Sequence, residues 1–171
     1  LLEPRKKKST AVNILGFFAP LQEDCELYEL LGGIGVREIR EISRCRDYNE
    51  YQCMAEANFN LVLNPEARFA ARDFEERLRI PSIELRRLYQ IEKIHSQYRA
   101  LGAALGTEFR DEELYQETKN AIARFQEKHP SLTFTLGECM NGDPFELAVA
   151  LIQMGYSVSE IYGTVTDENF V

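Results

Sequence analysis

The sequence predicts an α/β protein: a Rossmann-like parallel sheet with helices on both faces, a helical connector, and the start of a second α/β domain. Three observations predict it. Short apolar runs alternate with segments of helical periodicity from residue 11 to residue 90. Two charged, helix-forming segments follow with no strand between them. The first pattern then recurs from residue 131. Strands alternating with helices of about a dozen residues imply βαβ units and a parallel sheet. Right-handed crossovers then place helices on both faces.

The elements follow in order. Residues 1–10 are a polar lead-in, and Val12-Asn13-Ile14-Leu15-Gly16-Phe17-Phe18 is a buried strand. Residues 24–31 carry Leu27, Leu30 and Leu31 at helical spacing and stop at Gly32-Gly33. Residues 36–42 form a second strand, 48–57 a weaker helix, and Phe59-Asn60-Leu61-Val62-Leu63 a third strand ending at Asn64-Pro65. Residues 66–78 form a charged amphipathic helix with Phe69, Ala70, Phe74 and Leu78 on one side, and 81–85 a fourth strand. Residues 11–90 are thus one Rossmann-like domain. Residues 91–105 and 111–128 are the two helices of a connector over 91–130. Residues 131–171 open a second α/β domain: a strand at 132–136, a loop at 137–142, a helix opened by Asp143-Pro144-Phe145-Glu146, and a strand at 158–165. Asp143 is the expected N-cap, Pro144 the first helical residue and Glu146 a capping-box acid. Glu26-Leu27 before Gly35-Val36 is echoed by Glu146-Leu147 before Gly155. That echo is as compatible with chance as with homology, but the topology is the same either way.

Composition narrows the function. The 171 residues are 44% hydrophobic and 28% charged, which excludes collagen-like, low-complexity and disordered chains. Twenty basic residues against 28 acidic ones give a net charge of −8, which argues against nucleic acid as a partner. The basic run Arg5-Lys6-Lys7-Lys8 is expected to be a solvated tail. No stretch reaches the ~18 apolar residues of a membrane span, so no membrane partner is expected. Cys25, Cys45, Cys53 and Cys139 are scattered, as in a reduced, cytoplasmic protein. The chain begins at Leu1 rather than Met and reads as an excised piece of something longer.

The candidate chemistry is sparse. The turn after the first strand, Phe18-Ala19-Pro20-Leu21-Gln22-Glu23-Asp24, has no glycine and carries acids, so a dinucleotide phosphate site is disfavoured. His95 and His129 lie in the connector and have no nucleophile nearby in sequence. The acids at 73–76 and 111–113 lie on charged helix faces. Cys139 is the one cysteine in a strand-to-helix loop at a helix amino end. Such a place lowers a thiol pKa and faces ligands at the carboxyl edge of a sheet. It is the single candidate metal ligand, thiolate being what iron–sulfur chemistry needs. A buried packing role is the alternative.

Taken together, Ala11-Val12-Asn13-Ile14-Leu15-Gly16, the helix before Gly35-Val36, Ala57-Asn58-Phe59-Asn60-Leu61-Val62, Phe74-Glu75-Glu76-Arg77-Leu78-Arg79-Ile80-Pro81 and the helix closing at Leu101-Gly102 form one ordered pattern. It resembles the middle domain of the nitrogenase component 1 family, molybdenum–iron protein subunits and cofactor-assembly scaffolds included. Residues 132–165 are similar to the start of that family's next domain. The resemblance implies subunits of three Rossmann-like domains. It implies an iron–sulfur cluster or related metallocluster in the parent protein, a second nitrogenase-like subunit, and electrons from an ATP-dependent iron–sulfur reductase component. In the catalytic subunit the active-site cluster is held by a Cys just after the Asn-Leu-Val strand and by a distant His. Here the matching place reads Leu63-Asn64-Pro65. The family's glycine- and arginine-rich cofactor loop corresponds to residues 137–143, acidic here and containing Cys139. The site-lining residues implied are therefore Asn64, Gly137, Cys139, Asn141 and Gly142. No catalytic residue is assigned. The expected function is part of a nitrogenase-like oxidoreductase that passes electrons to a metallocluster or bound substrate, the isolated chain being inactive and free of cofactor. A non-catalytic assembly scaffold and a small-molecule binding module with periplasmic-binder-like layers are the alternatives.

Overall fold

β1 (Ala11–Leu15) and β3 (Phe59–Val62) are buried at every position, as expected of central strands in a parallel sheet covered on both faces. β2 (Glu38–Glu41) and β4 (Ser82–Glu84) each carry one isoleucine among polar or charged residues, are less buried apart from Glu41, and form the edges. All pairings are parallel, in the order β2-β1-β3-β4. The computed structural model describes residues 2–16, 19–137 and 142–163. Among these the protein is a mixed α/β chain with parallel sheets flanked by helices, as the sequence predicts. It divides into two compact units, Leu1–Arg86 with Leu101–Phe109, and Arg87–Ala100 with Arg110–Val171.

In the first unit, α1 (Glu26–Gly33) buries Leu27, Leu30 and Leu31. α2 (Tyr48–Cys53) starts at Asp47, whose side chain accepts the Glu50 N–H at 2.9 Å, and tightens into a 3-10 turn over Met54–Glu56. α3 (Arg68–Leu78) follows a 3-10 turn over Pro65–Ala67. Its buried face is Ala71, Phe74 and Leu78. The expected stripe began instead at Phe69 and Ala70, and Phe69 is 84% exposed. The i, i+3, i+7 spacing of the observed face is the one that stays on a single side of a 3.6-residue helix. Leu15 and Val62 pack with Met54, Ala55, Ala71, Phe74, Leu78 and Ile80 in a core on the α2–α3 face of the sheet.

A polar row crosses that face. Register places Asn13 beside Asn60 and Asn60 beside Ser82. Asn13 Nδ2 donates to Asn60 Oδ1 at 2.8 Å and to the Met54 carbonyl at 2.9 Å; Asn60 Nδ2 donates to Ser82 Oγ at 3.1 Å. Both asparagines are fully buried. The bonds tie three neighbouring strands in one register and anchor the turn after α2 to the sheet.

The basic lead-in is not a free tail. Leu2 is buried in the core. Arg5 donates to Gln52 at 3.0 Å, Lys7 to the Ala55 carbonyl at 2.8 Å, and Lys8 pairs with Glu56 at 3.0 Å and Glu38 at 3.3 Å. Acids on β2 and after α2 attract the run, a complement that no local pattern reveals.

In the second unit, β5 (Thr133–Leu136) and β6 (Ser157–Ile161) pair in parallel around α6 (Pro144–Gln153). Leu136, Ala148, Leu151 and Tyr156 form its core. α4 (Ile91–Ala104) and α5 (Glu112–Lys128) are the helices expected at 91–105 and 111–128; α5 and most of α4 belong to this unit, and the last turn of α4 is counted with the first. The sequence echo has a structural counterpart. Val36 N–H bonds the Leu31 carbonyl after α1, and Tyr156 N–H bonds the Leu151 carbonyl after α6. Both are six-residue reversals that end a helix and launch the next strand. Among the described residues, no helix is long and apolar enough to cross a membrane.

Candidate functional site at the sheet's switch point

From β1 the chain crosses through α1 to β2 on one side, whereas β3 lies on the other side of β1. The carboxyl ends of β1 and β3 are therefore a topological switch point, where open α/β sheets bind ligands. Gly16 follows β1, and Asn64 lies two residues beyond β3. The Leu63 N–H donates to the Leu15 carbonyl at 2.9 Å, carrying the pairing to the strand ends. Gly16 has φ of +129°, and a Cβ built on it would lie 2.8 Å from the Asn64 backbone nitrogen. Gly16→Ala is therefore expected to cost about 2 kcal/mol in denaturant unfolding, from strain and from the backbone shift it forces.

Asn64 is spent locally. Its Oδ1 accepts the Glu66 N–H at 3.1 Å, and Pro65 opens the turn that leads into α3. This is an N-cap, the role for which a short polar side chain before proline is suited. On the other side of β1, Glu41 at the end of β2 is buried and accepts the Leu21 N–H at 3.0 Å, the Arg44 Nε–H at 3.0 Å, and the Tyr28 hydroxyl. Arg44 also donates to the Leu21 carbonyl at 2.8 Å. The cluster clamps the β1–α1 loop at the rim. Burial and the Glu41 carboxylate push the Tyr28 phenol up to about 12, against the opposing pull of Arg44. A raised folded value means that this contribution to stability is complete below pH 10, the ordinary value, and is lost as the pH rises toward 12. The expected result is a tyrosinate absorbance step near pH 12 that Tyr28→Phe removes, with a shallower alkaline fall of the urea midpoint in that variant.

In the second unit, the β5–α6 loop carries Gly137 and Gly142; Cys139 and Asn141 lie outside the described residues. Asp143 caps α6 as the sequence predicts, accepting the Phe145 N–H at 2.8 Å and the Glu146 N–H at 3.3 Å. Glu146 does not close a capping box. It is 1% exposed, and its carboxylate takes the Tyr89 N–H at 2.5 Å, the Gln90 N–H at 3.3 Å and Gln90 Nε2 at 2.8 Å. Those donors lie just before α4, so the carboxylate serves that helix's amino end instead of its own. Tyr89 is thereby held against Gly142: a Cβ on Gly142 would meet the phenol oxygen at 2.1 Å. Nothing in the local pattern marks Tyr89 or Gln90, because their partners are more than fifty residues away.

The remaining candidates are structural in their surroundings. His95 Nδ1 lies 2.9 Å from the buried Asp111 carboxylate, and its ring stacks on Tyr115 at 4.5 Å, joining α4 to the start of α5. His129 is the C-cap of α5 and lies against Phe125. A groove bounded by Glu117, Thr118, Asn120, Ala121 and Arg124 runs along one face of α5. Burial pushes the Cys25 and Cys45 thiols up, away from the thiolate. Among the described residues, no three His, Cys, Asp or Glu side chains converge as a metal site. At Asn64 the donor set is an amide already used as a cap, which does not fit a metallocluster.

The comparisons with known proteins bear on the same frame. No curated protein sequence matches the chain. Solved structures do, nitrogenase Cp1 among them. Nitrogenase Cp1 at pH 6.5 is 17% identical with a TM-score of 0.61, over 93% of this chain and 32% of that one. Nitrogenase Cp1 at pH 5 is 19% identical with a TM-score of 0.57, over 98% of this chain and 37% of that one. At this identity they share a fold with the chain, which spans about a third of their length. The family model for nitrogenase component 1 type oxidoreductases matches residues 1–159, and the chain belongs to that family.

Proposed function

We propose that this chain is the middle part of a nitrogenase-like component 1 subunit. Its parent protein takes electrons from an ATP-dependent iron–sulfur reductase, pairs with a second, related subunit, and delivers the electrons to a metallocluster or bound substrate in the cytoplasm. The observation that carries this reading is a family match over 1–159, coincident with a parallel sheet whose switch point lies at Gly16 and Asn64. In this reading 11–90 is one Rossmann-like domain, 91–130 a connector, and 131–171 the opening of the next. Gly137, Cys139, Asn141 and Gly142 belong to the loop that faces the cofactor or substrate.

On its own the chain supplies a scaffold: strands that end at the rim, a clamped β1–α1 loop, and helix ends capped by Asn64 and Asp143. No electron-transfer step is assigned to these residues. The test mixes the parent protein, purified anaerobically, with a reduced iron–sulfur reductase and ATP. ATP-dependent oxidation of the reductase by the parent, and none by the 171-residue chain alone, is the expected result. A parent that leaves the reductase reduced overturns the proposal.

A further inference from the structure

We infer that His95 and Glu112 form a two-ligand site for a divalent transition-metal ion of the Ni²⁺ or Zn²⁺ kind, bridging α4 and the start of α5. The inference does not depend on the electron-transfer reading, and its residues all belong to the second unit. Asp111 is the N-cap of α5, a place where an aspartate ordinarily accepts an N–H of the first helical turn. Its side chain makes no such bond. The carboxylate is buried, with the residue 3% exposed, and it turns to His95 instead, 2.9 Å from Nδ1. The helix forgoes its best cap so that a buried carboxylate stands behind an imidazole.

An ionised carboxylate only accepts, so the shared hydrogen sits on Nδ1. In the neutral ring that leaves the lone pair on Nε2, ready to ligate a metal ion. A carboxylate in this position fixes the tautomer and ring orientation of a ligating histidine and raises its basicity. The ring is held from a second side, where it stacks on Tyr115 at 4.5 Å. Tyr115 is itself fixed: its hydroxyl donates to Glu92, and the Lys119 ammonium lies 3.3 Å from that hydroxyl and 3.4 Å from Glu92. Across from the imidazole, Glu112 Oε1 accepts from Gln116 at 3.0 Å, and Glu112 Oε2 lies 4.0 Å from His95 Nε2. That gap is too long for a hydrogen bond. Two acceptors facing each other repel unless a cation lies between them. An ion with bonds of about 2.0–2.2 Å to nitrogen and oxygen spans such a gap. The Glu112 side chain is 69% exposed, so it can swing to the angle the ion prefers. Imidazole with carboxylate suits Zn²⁺ or Ni²⁺, whereas Mg²⁺ and Ca²⁺ take oxygen ligands. Two side chains are fewer than a structural zinc centre uses, so water completes the coordination and the ion exchanges readily.

The test is a titration of the 171-residue chain with Ni²⁺ at pH 7.5, followed by paramagnetic broadening of its histidine ring signals in NMR spectra. The chain has two histidines, so His129 is an internal reference. The expected result is that the His95 ring broadens at about one-tenth of the nickel concentration that His129 requires. Glu112→Gln removes a ligand from an exposed position without endangering the fold, and should raise the nickel needed at His95 about tenfold. Asp111→Asn should do the same, because an asparagine amide can donate to Nδ1 and move the ring hydrogen to Nε2. Circular dichroism confirms that each variant is folded. Equal broadening of the two rings shows an adventitious surface imidazole only and overturns the inference. So does a folded Glu112→Gln variant that responds like wild type, or a His95 ring that nickel leaves sharp. Thermal unfolding gives a second readout: nickel should raise the wild-type midpoint by tying α4 to α5, and should raise that of Glu112→Gln less.

Discussion

Glu146→Ala is expected to lower the unfolding free energy by about 4 kcal/mol, the largest single effect in the chain. The carboxylate is 1% exposed and serves three donors: two backbone N–H groups, at Tyr89 and Gln90, and the Gln90 amide. Alanine leaves the buried Gln90 N–H and the half-buried Tyr89 N–H without their acceptor and opens a cavity beside the first turn of α6. Each orphaned donor costs about 1–3 kcal/mol. Glu146→Gln keeps one acceptor oxygen and should lose about half as much. Urea unfolding gives the free energies. Amide hydrogen exchange at Tyr89 and Gln90 should accelerate in both variants, and more in the alanine one. Unchanged exchange at those two amides would show that Glu146 does not hold the segment before α4.

Asn60→Leu is expected to cost about 3 kcal/mol and Asn13→Leu about 2 kcal/mol. The difference comes from how well each amide is satisfied. Asn60 accepts from Asn13 and donates to Ser82, so its removal breaks bonds at both ends. Asn13 donates twice, but its Oδ1 has no partner, and removing it also removes that unmet acceptor. The double variant should cost about 1 kcal/mol less than the sum, since the shared bond is lost only once. Denaturant unfolding of the two single variants and the double one closes the cycle. Strict additivity would mean that the two side chains do not interact.

These asparagines also show how far the sequence could be read. Val-Asn-Ile-Leu and Phe-Asn-Leu-Val are among the segments that carry the family resemblance, with the Glu-Arg-Leu-Arg-Ile-Pro step. The two strand segments are recognisable because an asparagine in the middle of an apolar strand breaks the pattern. That the two asparagines bond to each other depends on β1 and β3 being neighbours in register, although β2 lies between them in sequence. Asn64 was legible as a departure from the family's thiolate position, but its cap was not singled out in advance, although Asn-Pro before a helix is a local signal. Tyr89 and Glu41 carried no such signal. Phe69 was misplaced because a charged helix has more than one plausible apolar side, and the sheet beneath decides which is covered.

By itself, the sequence determined the order and type of the elements, the parallel pairing, the absence of a thiolate at position 64 and the helix start at Asp143. Each follows from local periodicity, turn chemistry or a neighbour within about four residues. Only the tertiary structure decided that Glu146 turns to Tyr89 and Gln90, that Arg5 and Lys8 dock on Glu56, and that Gly16 closes on Asn64. Those outcomes join residues some fifty positions apart. A buried carboxylate or a basic run takes the partner that burial and geometry bring nearest, and distance along the chain does not encode that choice.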